Sequence, residues 1–514
     1  MATLELLSGP ITFSEAIQRR TNVVHQLEYP RLQRAFFQRL QNDRHLIQNI
    51  VAHHLGADPK NCDVLSPEHW RHGSFNVCVP VRVDSPDPGL PISVMVRFPL
   101  PYRVGEGTHP GNADEKLRCE AATYAWLQEH CPSVPIPHLY GLGLATGQQL
   151  THVDHLPWWS RWSHGFQRRF RTLLGYQRPT RYIPHNSSVL STLGLGYLVI
   201  ETIPDTEGSM LSNSWEDKRG DDRLQSNLKR GLARILLSLA AIPLPRIGAF
   251  RLDDAGYVHL DNRPLNAEII MQENEGFPII IPRDQTYTRA DDFILATLDA
   301  FHNRLLHQPN AMSDEFSGQF ELAAILAARG VLPPMLQKDL RSGPFVCSLT
   351  NLHRSNIIVD DDWNITRIID LEFACSWPIE FQHPPYWLGG QRADVLDDIS
   401  FDPHHNQFVR ILEELEEQGE FPAIRSPRKL SAIMRYTWAS GTFWLTLGLQ
   451  NPMMFATTFW FGILAVHLGL RIEYTNDFTM LANLSGASDF MDARLQENDE
   501  YSRTLHRIFT RNTV

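Results

Sequence analysis

The stretch of this sequence richest in possible chemistry is residues 343–374, GPFVCSLTNLHRSNIIVDDDWNITRIIDLEFA. A strand-like run, PFVCSL, leads into a polar loop, NLHRSN, and IIVDDDWNITRIID then reads as a hairpin turning at its consecutive aspartates. Loops between short strands present polar side chains to one point, and this order would bring Asn351, Asn356 and Asp370 together at a cleft. Amide and carboxylate oxygens gathered there are the material for orienting a hydroxyl or holding a hard cation. The plainer alternative is that they are turn and strand-end residues bonded to backbone.

The run Leu349-Thr350-Asn351-Leu352-His353-Arg354-Ser355-Asn356, followed by Ile369-Asp370-Leu371-Glu372, resembles the catalytic loop and metal-binding segment of the aminoglycoside phosphotransferase family, in particular its fungal branch. The resemblance implies a two-lobed, protein-kinase-like α+β fold with a small β-rich N-lobe and a larger helical C-lobe. It also implies ATP and Mg²⁺ as cofactors, with Asn356 and Asp370 as the metal ligands, since Mg²⁺ on a phosphate takes a few protein oxygens in near-octahedral geometry. The family's catalytic Asp is replaced here by Asn351, and His353 matches its frequent following His. An amide cannot take the proton of an attacking hydroxyl at neutral pH, though its oxygen can orient one. General-base help is worth about 10²–10⁴-fold in rate, while phosphoryl transfer leans mainly on positioning, so slow turnover could survive.

The elements that must position this loop lie upstream. In GSFNVCVPVRV the apolar residues Phe75, Val77, Val79, Val81 and Val83 alternate, and ISVMVRF alternates again through Ile92, Val94, Val96 and Phe98. Joined by a Pro/Gly-rich break, they predict an antiparallel hairpin. ADEKLRCEAATYAWLQEH then predicts a helix, and GYLVIETI, Gly196–Ile203, a further strand. On the resemblance, Gly73 and Ser74 belong to a truncated phosphate-covering loop, and Arg97 is the cation of the second strand, paired with Glu120 on the helix. Glu201 and Ile203 fall at the hinge that offers backbone to adenine. Arg in place of Lys is a rigid fork rather than a point charge.

The expected organisation is a helical extension over 1–60, an N-lobe over 61–203, and a helical C-lobe over 204–514 carrying the loop at 348–372. Helices are expected over 222–242, over 290–330 and again after 405. Residues 151–185 hold six arginines (161, 168, 169, 171, 178, 181) against the single acid Asp154, interleaved with Trp158, Trp159 and Trp162. Basic plus aromatic residues suit single strands or another anionic partner; the plainer reading, preferred here, is a loop insertion in which arginines stack on tryptophans.

A formal net charge of −11 argues against general nucleic-acid binding. The six scattered cysteines form no C-x-x-C pair and read as reduced, mostly buried thiols, and no signal-peptide pattern opens the sequence, so a cytoplasmic or nuclear location is expected. Pro452–Leu470 carries no formal charge, but its Thr, Gly and His content favours a buried helix over a membrane span. Three functional readings follow. The chain is a kinase-like protein that binds Mg-ATP with activity impaired at Asn351, an active phosphotransferase on a small-molecule or protein hydroxyl, or a scaffold indifferent to nucleotide.

Overall fold

In the computed structural model, residues 3–85, 87–421, 426, 428–470 and 488–511 are described. The first of them, within the stretch expected to be helical, pair instead as antiparallel strands β1 (Thr3–Leu6) and β2 (Gly9–Thr12). Helix α1 (Phe13–Gln18) begins on a reciprocal cap: the Thr12 hydroxyl accepts from Glu15 N–H, and the Glu15 carboxylate accepts from Thr12 N–H. Short α2 (Val23–Gln26) leads to α3 (Tyr29–Asn42) and α4 (Arg44–Leu55). Phe36, Leu40, Ile47, Ile50 and Val51 on these two helices are buried against one face of the main sheet, so the extension is part of the N-terminal lobe's core.

That sheet comprises β3 (Cys62–Val64), β4 (Arg71–His72), β5 (Asn76–Val83), β6 (Ser93–Pro99), β7 (Leu139–Gly143), β8 (Gln149–His152), β9 (Tyr182–Pro184) and β10 (Tyr197–Glu201). Its order is β3-β5-β6-β10-β7-β8-β9, with β4 pairing β5, and every neighbour is antiparallel. Between β6 and β7 lie α5 (Pro101–Val104) and α6 (Asn112–His130). Leu117, Ala121, Tyr124 and Leu127 of α6 bury against Leu142, Leu150 and Leu198 on the sheet's second face. The β5–β6 pairing sets Cys78 opposite Arg97, which fixes where the cation of β6 stands.

The insertion at 151–185 is not a loop. It is β8, a helix α7 (Trp158–Leu173) and β9, which extend the sheet by two strands. Trp158, Trp159 and Trp162 are exposed, and among the described residues the cations over aromatic rings are Arg103, Arg171, Arg354 and Arg428, over Tyr29, Phe75, Tyr257, Trp215 and Tyr436. The expected stacking of arginine on these tryptophans is therefore not how the insertion is held.

After β10 the chain turns at Pro204 and enters a larger helical part, so a β-rich part is followed by a helical one in an α+β arrangement, as expected. Helices Asp222–Ala240, Ala290–His307, Glu315–Met335 and Asp398–Gln418 share the largest apolar core. The helix expected over 290–330 is two, broken at 308–314, where Asp314 caps the second. Pro452–Thr457 is helical and continues as a wider helical turn over Thr458–His467, with Phe455, Phe459, Trp460 and Ile463 buried. Among the described residues no helix is long and apolar enough to cross a membrane. The helical expectation for 422–425, 427, 471–487 and 512–514 lies outside the described residues. Helix Ser488–Arg511 returns to the start of the chain: Leu505 and Phe509 pack with Leu6, Ile11 and Ala16, and the Tyr501 hydroxyl accepts from Val23 N–H at 2.9 Å.

Candidate functional site

The strand Phe345–Ser348, paired antiparallel with Cys375–Pro378, delivers the chain to the loop 349–356. The hairpin Ile357–Val359 and Ile365–Ile368 follows, closed at its tip by the Asp360 carboxylate, which accepts from Asp362 N–H and Asn364 N–H. The register puts Ile357 opposite Ile368, so the residues just before one strand and just after the other are neighbours. Ile369 N–H donates to the Asn356 carbonyl at 2.9 Å, and Asp370 follows with φ +61°, a left-handed conformation costly for a non-glycine residue. Thr350 holds the far side by donating to the Phe373 carbonyl at 2.7 Å.

Three of the sequence-selected polar residues meet there. Asn351 Nδ2 donates to Asp370 Oδ2 at 2.9 Å, and Asn356 Nδ2 donates to the Asn351 carbonyl at 2.9 Å. His353 stands beside them, its N–H donating to the Asn351 carbonyl and its Nδ1 lying 3.3 Å from the Ser355 hydroxyl. Burial, then Arg354, lowers its pKa and favours a neutral ring.

The upstream cation closes on the same point. Arg97 donates through Nη1 to Glu120 and through Nη2 to Asp370 Oδ1, with Glu372 Oε2 at 3.3 Å from Nη2. A guanidinium makes such a bridge because its donors form a fixed fork. Burial alone would lower the Arg97 pKa, but Glu120, Asp370 and Glu372 more than reverse this and hold it well above its ordinary value. Burial raises the Glu120 and Asp370 carboxyls despite Arg97. Glu372 goes the other way: burial would raise it, but Lys116 and Arg97 hold it below its ordinary value.

The sequence reading missed the inner half of this network. Lys116 Nζ lies 2.5 Å from Glu372 Oε2 and donates to Asn76 Oδ1 at 2.8 Å, while Asn76 Nδ2 donates to Glu372 at 2.7 Å. Lys116 is one helical turn before Glu120 on α6, and both are almost wholly buried. The signal was present in the i, i+4 spacing and in Glu372 two residues after Asp370, but a helical Lys is normally solvated. Three carboxylates thus face two cations across the junction of the lobes.

Gly73, Ser74, Glu201 and Ile203 are not part of this cluster of contacts. Gly73 and Ser74 sit in an exposed turn between β4 and β5, where Gly73 N–H donates to the Asn76 carbonyl and a Cβ on Gly73 would meet nothing within 4 Å. No steric demand for glycine exists there. Glu201 ends β10, its N–H donating to the His138 carbonyl at 2.8 Å and its Oε2 accepting from His138 N–H at 2.9 Å. The Thr202 hydroxyl, buried between Glu201 and Ile203, has no hydrogen-bond partner among the described residues.

The donor set suits a hard cation: an amide oxygen of Asn356 and the carboxylate of Asp370, in a cluster with one more negative than positive group. Both Asp370 oxygens are already engaged, one by Arg97 and one by Asn351, so a cation would have to share or displace those donors.

No known family matches the chain, and no curated protein does either. Six chains among solved structures match it. One, an ethanolamine kinase of Plasmodium vivax, is 11% identical and aligns over 84% of this chain and 84% of its own, with a TM-score of 0.36. A likeness that distant carries no argument about substrate or mechanism.

Proposed function

We propose that the chain is a kinase-like protein of the aminoglycoside phosphotransferase type, fungal branch, that binds Mg-ATP between its lobes and transfers phosphate slowly or not at all. The observation that carries this reading is the amide of Asn351 donating to Asp370, where a proton-accepting carboxylate would otherwise stand. Asn356 and Asp370 would hold the Mg²⁺, which when bound offsets the charge of the phosphates. Arg97, fixed by Glu120, would face the phosphates, the backbone of Glu201 and Ile203 would meet adenine, and the short turn at Gly73 and Ser74 would cover the phosphate tail. Asn351 would orient an acceptor hydroxyl without removing its proton, with His353 beside it.

Retention of the Asn356–Asn351–Asp370 contacts also supports a second reading, an active phosphotransferase on a small-molecule or protein hydroxyl. A nucleotide-blind scaffold is the third, and nothing in the cleft favours it. The test is calorimetry of the full chain with ATP, with and without Mg²⁺, alongside Asp370→Ala. Mg²⁺-dependent binding lost in the variant is the expected result. Absence of binding by the unaltered chain, or unchanged affinity in the variant, would sink the proposal.

A further inference from the structure

Two features outside the cleft carry independent inferences. We propose first that His138, His152 and His155 form a binding site for a divalent transition metal of the zinc class. Each offers a ring nitrogen, and these atoms all lie within 4.8 Å of one another. The three come from separate places: His138 immediately precedes β7, His152 ends β8, and His155 lies in the turn leading to α7. Their rings touch, with centroids 4.6, 5.7 and 6.2 Å apart. His138 Nε2 is buried with no hydrogen-bond partner among the described residues, a costly state for a ring nitrogen unless something binds it.

Three imidazoles are a common zinc ligand set, with Zn–N of about 2.0–2.1 Å, which places tetrahedral ligand atoms about 3.3 Å apart. The rings need only close inward to reach that spacing. Burial favours their neutral, metal-binding form, lowering His155 to about 4 and His152 to about 2. The other charged groups facing the cluster are Asp154, Arg161 and Arg181, with His164 behind, and Asp154 or water would take the fourth position. Through His138, whose backbone exchanges hydrogen bonds with Glu201, a bound metal would tie the root of the insertion to the start of the inter-lobe segment.

The test uses Zn²⁺ and Co²⁺ alone on the chelator-treated full chain, without nucleotide. One equivalent of Zn²⁺ should bind, and Co²⁺ should give the visible absorption of a tetrahedral site. His155→Ala should weaken binding by more than about 100-fold, the most that loss of a merely supporting neighbour costs, with an unchanged metal-free melting profile. The nearby His53→Ala should leave binding intact, which controls for general histidine affinity. Failure to bind, or equal binding in both variants, overturns the site. A His155→Ala chain that does not fold is replaced by His138→Gln, read in the same way.

We infer second that α7 lies on an anionic lipid bilayer through its outward face. Trp158, Trp159, Trp162, Phe166, Phe170 and Leu173 are each 53% to 85% exposed, the reverse of what a packed amphipathic helix shows. Trp162, Phe166 and Phe170 stack with near-parallel rings along the helix at about one-turn intervals, centroids 6.1 and 6.2 Å apart. The inward side is His164, buried against the Thr180 carbonyl, and Arg168, bonded to Glu129, so the helix is anchored with its apolar side out. Arg169, beside the strip, has no acidic partner among the described residues, whereas Arg161 faces the histidine cluster and Arg171 lies over the Tyr257 ring. Together Arg169 and the aromatic strip match an anionic headgroup layer above acyl chains. A second copy fits less well, because α7 carries no acidic residue to pair with Arg169 where the helix would meet its copy.

The test is flotation of the full chain with phosphatidylcholine vesicles, with and without phosphatidylserine. The chain should float with the anionic vesicles, and Trp162→Glu/Phe166→Glu should weaken this by at least about tenfold. Both residues are exposed, so the variant should melt as the parent does; if it does not, Phe166→Ser serves instead. Equal flotation of parent and variant, no flotation, or a strip-dependent dimer without lipid binding would each overturn the inference.

Discussion

Asn351→Asp is the substitution that the cleft answers most sharply. It places a carboxylate oxygen where an amide nitrogen now donates to Asp370 Oδ2 across 2.9 Å. A hydrogen bond to a charged group, worth about 1.5–3 kcal/mol, is lost. In its place two like charges face each other, worth about 4 kcal/mol at 4 Å with an effective dielectric near 20. Arg97 and Lys116 stay close and relieve part of this, and the pair can also relax by holding one proton. The expected cost is about 3 kcal/mol at about pH 8, where both carboxylates must ionise. The shared proton raises the folded pKa of the pair above the unfolded value of about 3.9, so the penalty is complete above that folded pKa and shrinks as pH falls through it. Denaturant midpoints of parent and variant from about pH 5 to 8 should therefore converge at the acid end. Millimolar Mg²⁺ should restore the variant selectively, since a dication is the natural partner of two carboxylates. Phosphate transfer in the variant should rise, by up to about 10²–10⁴-fold if the remainder of the site is competent. A penalty below about 0.5 kcal/mol, or one indifferent to pH and Mg²⁺, would refute the reasoning about charge.

Arg97→Lys keeps the charge but not the fork that reaches Glu120, Asp370 and Glu372 at once. It should cost about 1–3 kcal/mol by denaturant midpoint and weaken Mg-ATP binding, whereas a silent substitution would mean a point charge suffices. Glu380 is buried, one oxygen accepting from Gln337 N–H at 2.9 Å and the other without a partner among the described residues, and burial raises its pKa to about 7. Because the folded value lies above the unfolded one, ionisation costs stability above about pH 7 and nothing below about 4.5; Glu380→Gln should gain up to about 3 kcal/mol at alkaline pH and little at acid pH, as urea midpoints would report.

Where periodicity reports packing directly, the fold was legible in the residues. The alternation through Val77, Val79, Val81 and Val83 is a strand buried on one face, and Leu117, Ala121, Tyr124 and Leu127 are the buried side of α6. The meeting of Asn351, Asn356 and Asp370 was also legible, because a short hairpin forces its two ends together. What stayed hidden are residues whose partners lie far away in sequence. Asn76, Lys116 and Glu372 make sense only when three elements separated by as many as 296 positions come together. The helix α7 was hidden for another reason. Trp158, Trp162, Phe166 and Phe170 have helical spacing, but a helix that turns its apolar side to solvent does not announce a core. The opening strand pair has leucines at positions 4 and 6 and a Gly-Pro pair just after its turn, yet four-residue strands carry too little periodicity to outweigh the helical run after them.

The bond between Val23 and Tyr501 spans 478 positions, and the strand pair and first helix complete their apolar cover, begun by Val23, with Tyr501, Leu505 and Phe509. Protein synthesis runs in one direction at about 5–20 residues per second, so these early elements wait about 24–96 s on the ribosome for the segment that covers them. Throughout that interval Leu6, Ile11 and Ala16 lack the cover of Tyr501, Leu505 and Phe509, while the sheet and its helices can already close around their own cores. The order in which parts of the chain mature is therefore not their order of emergence: a part made before the sheet is finished after it.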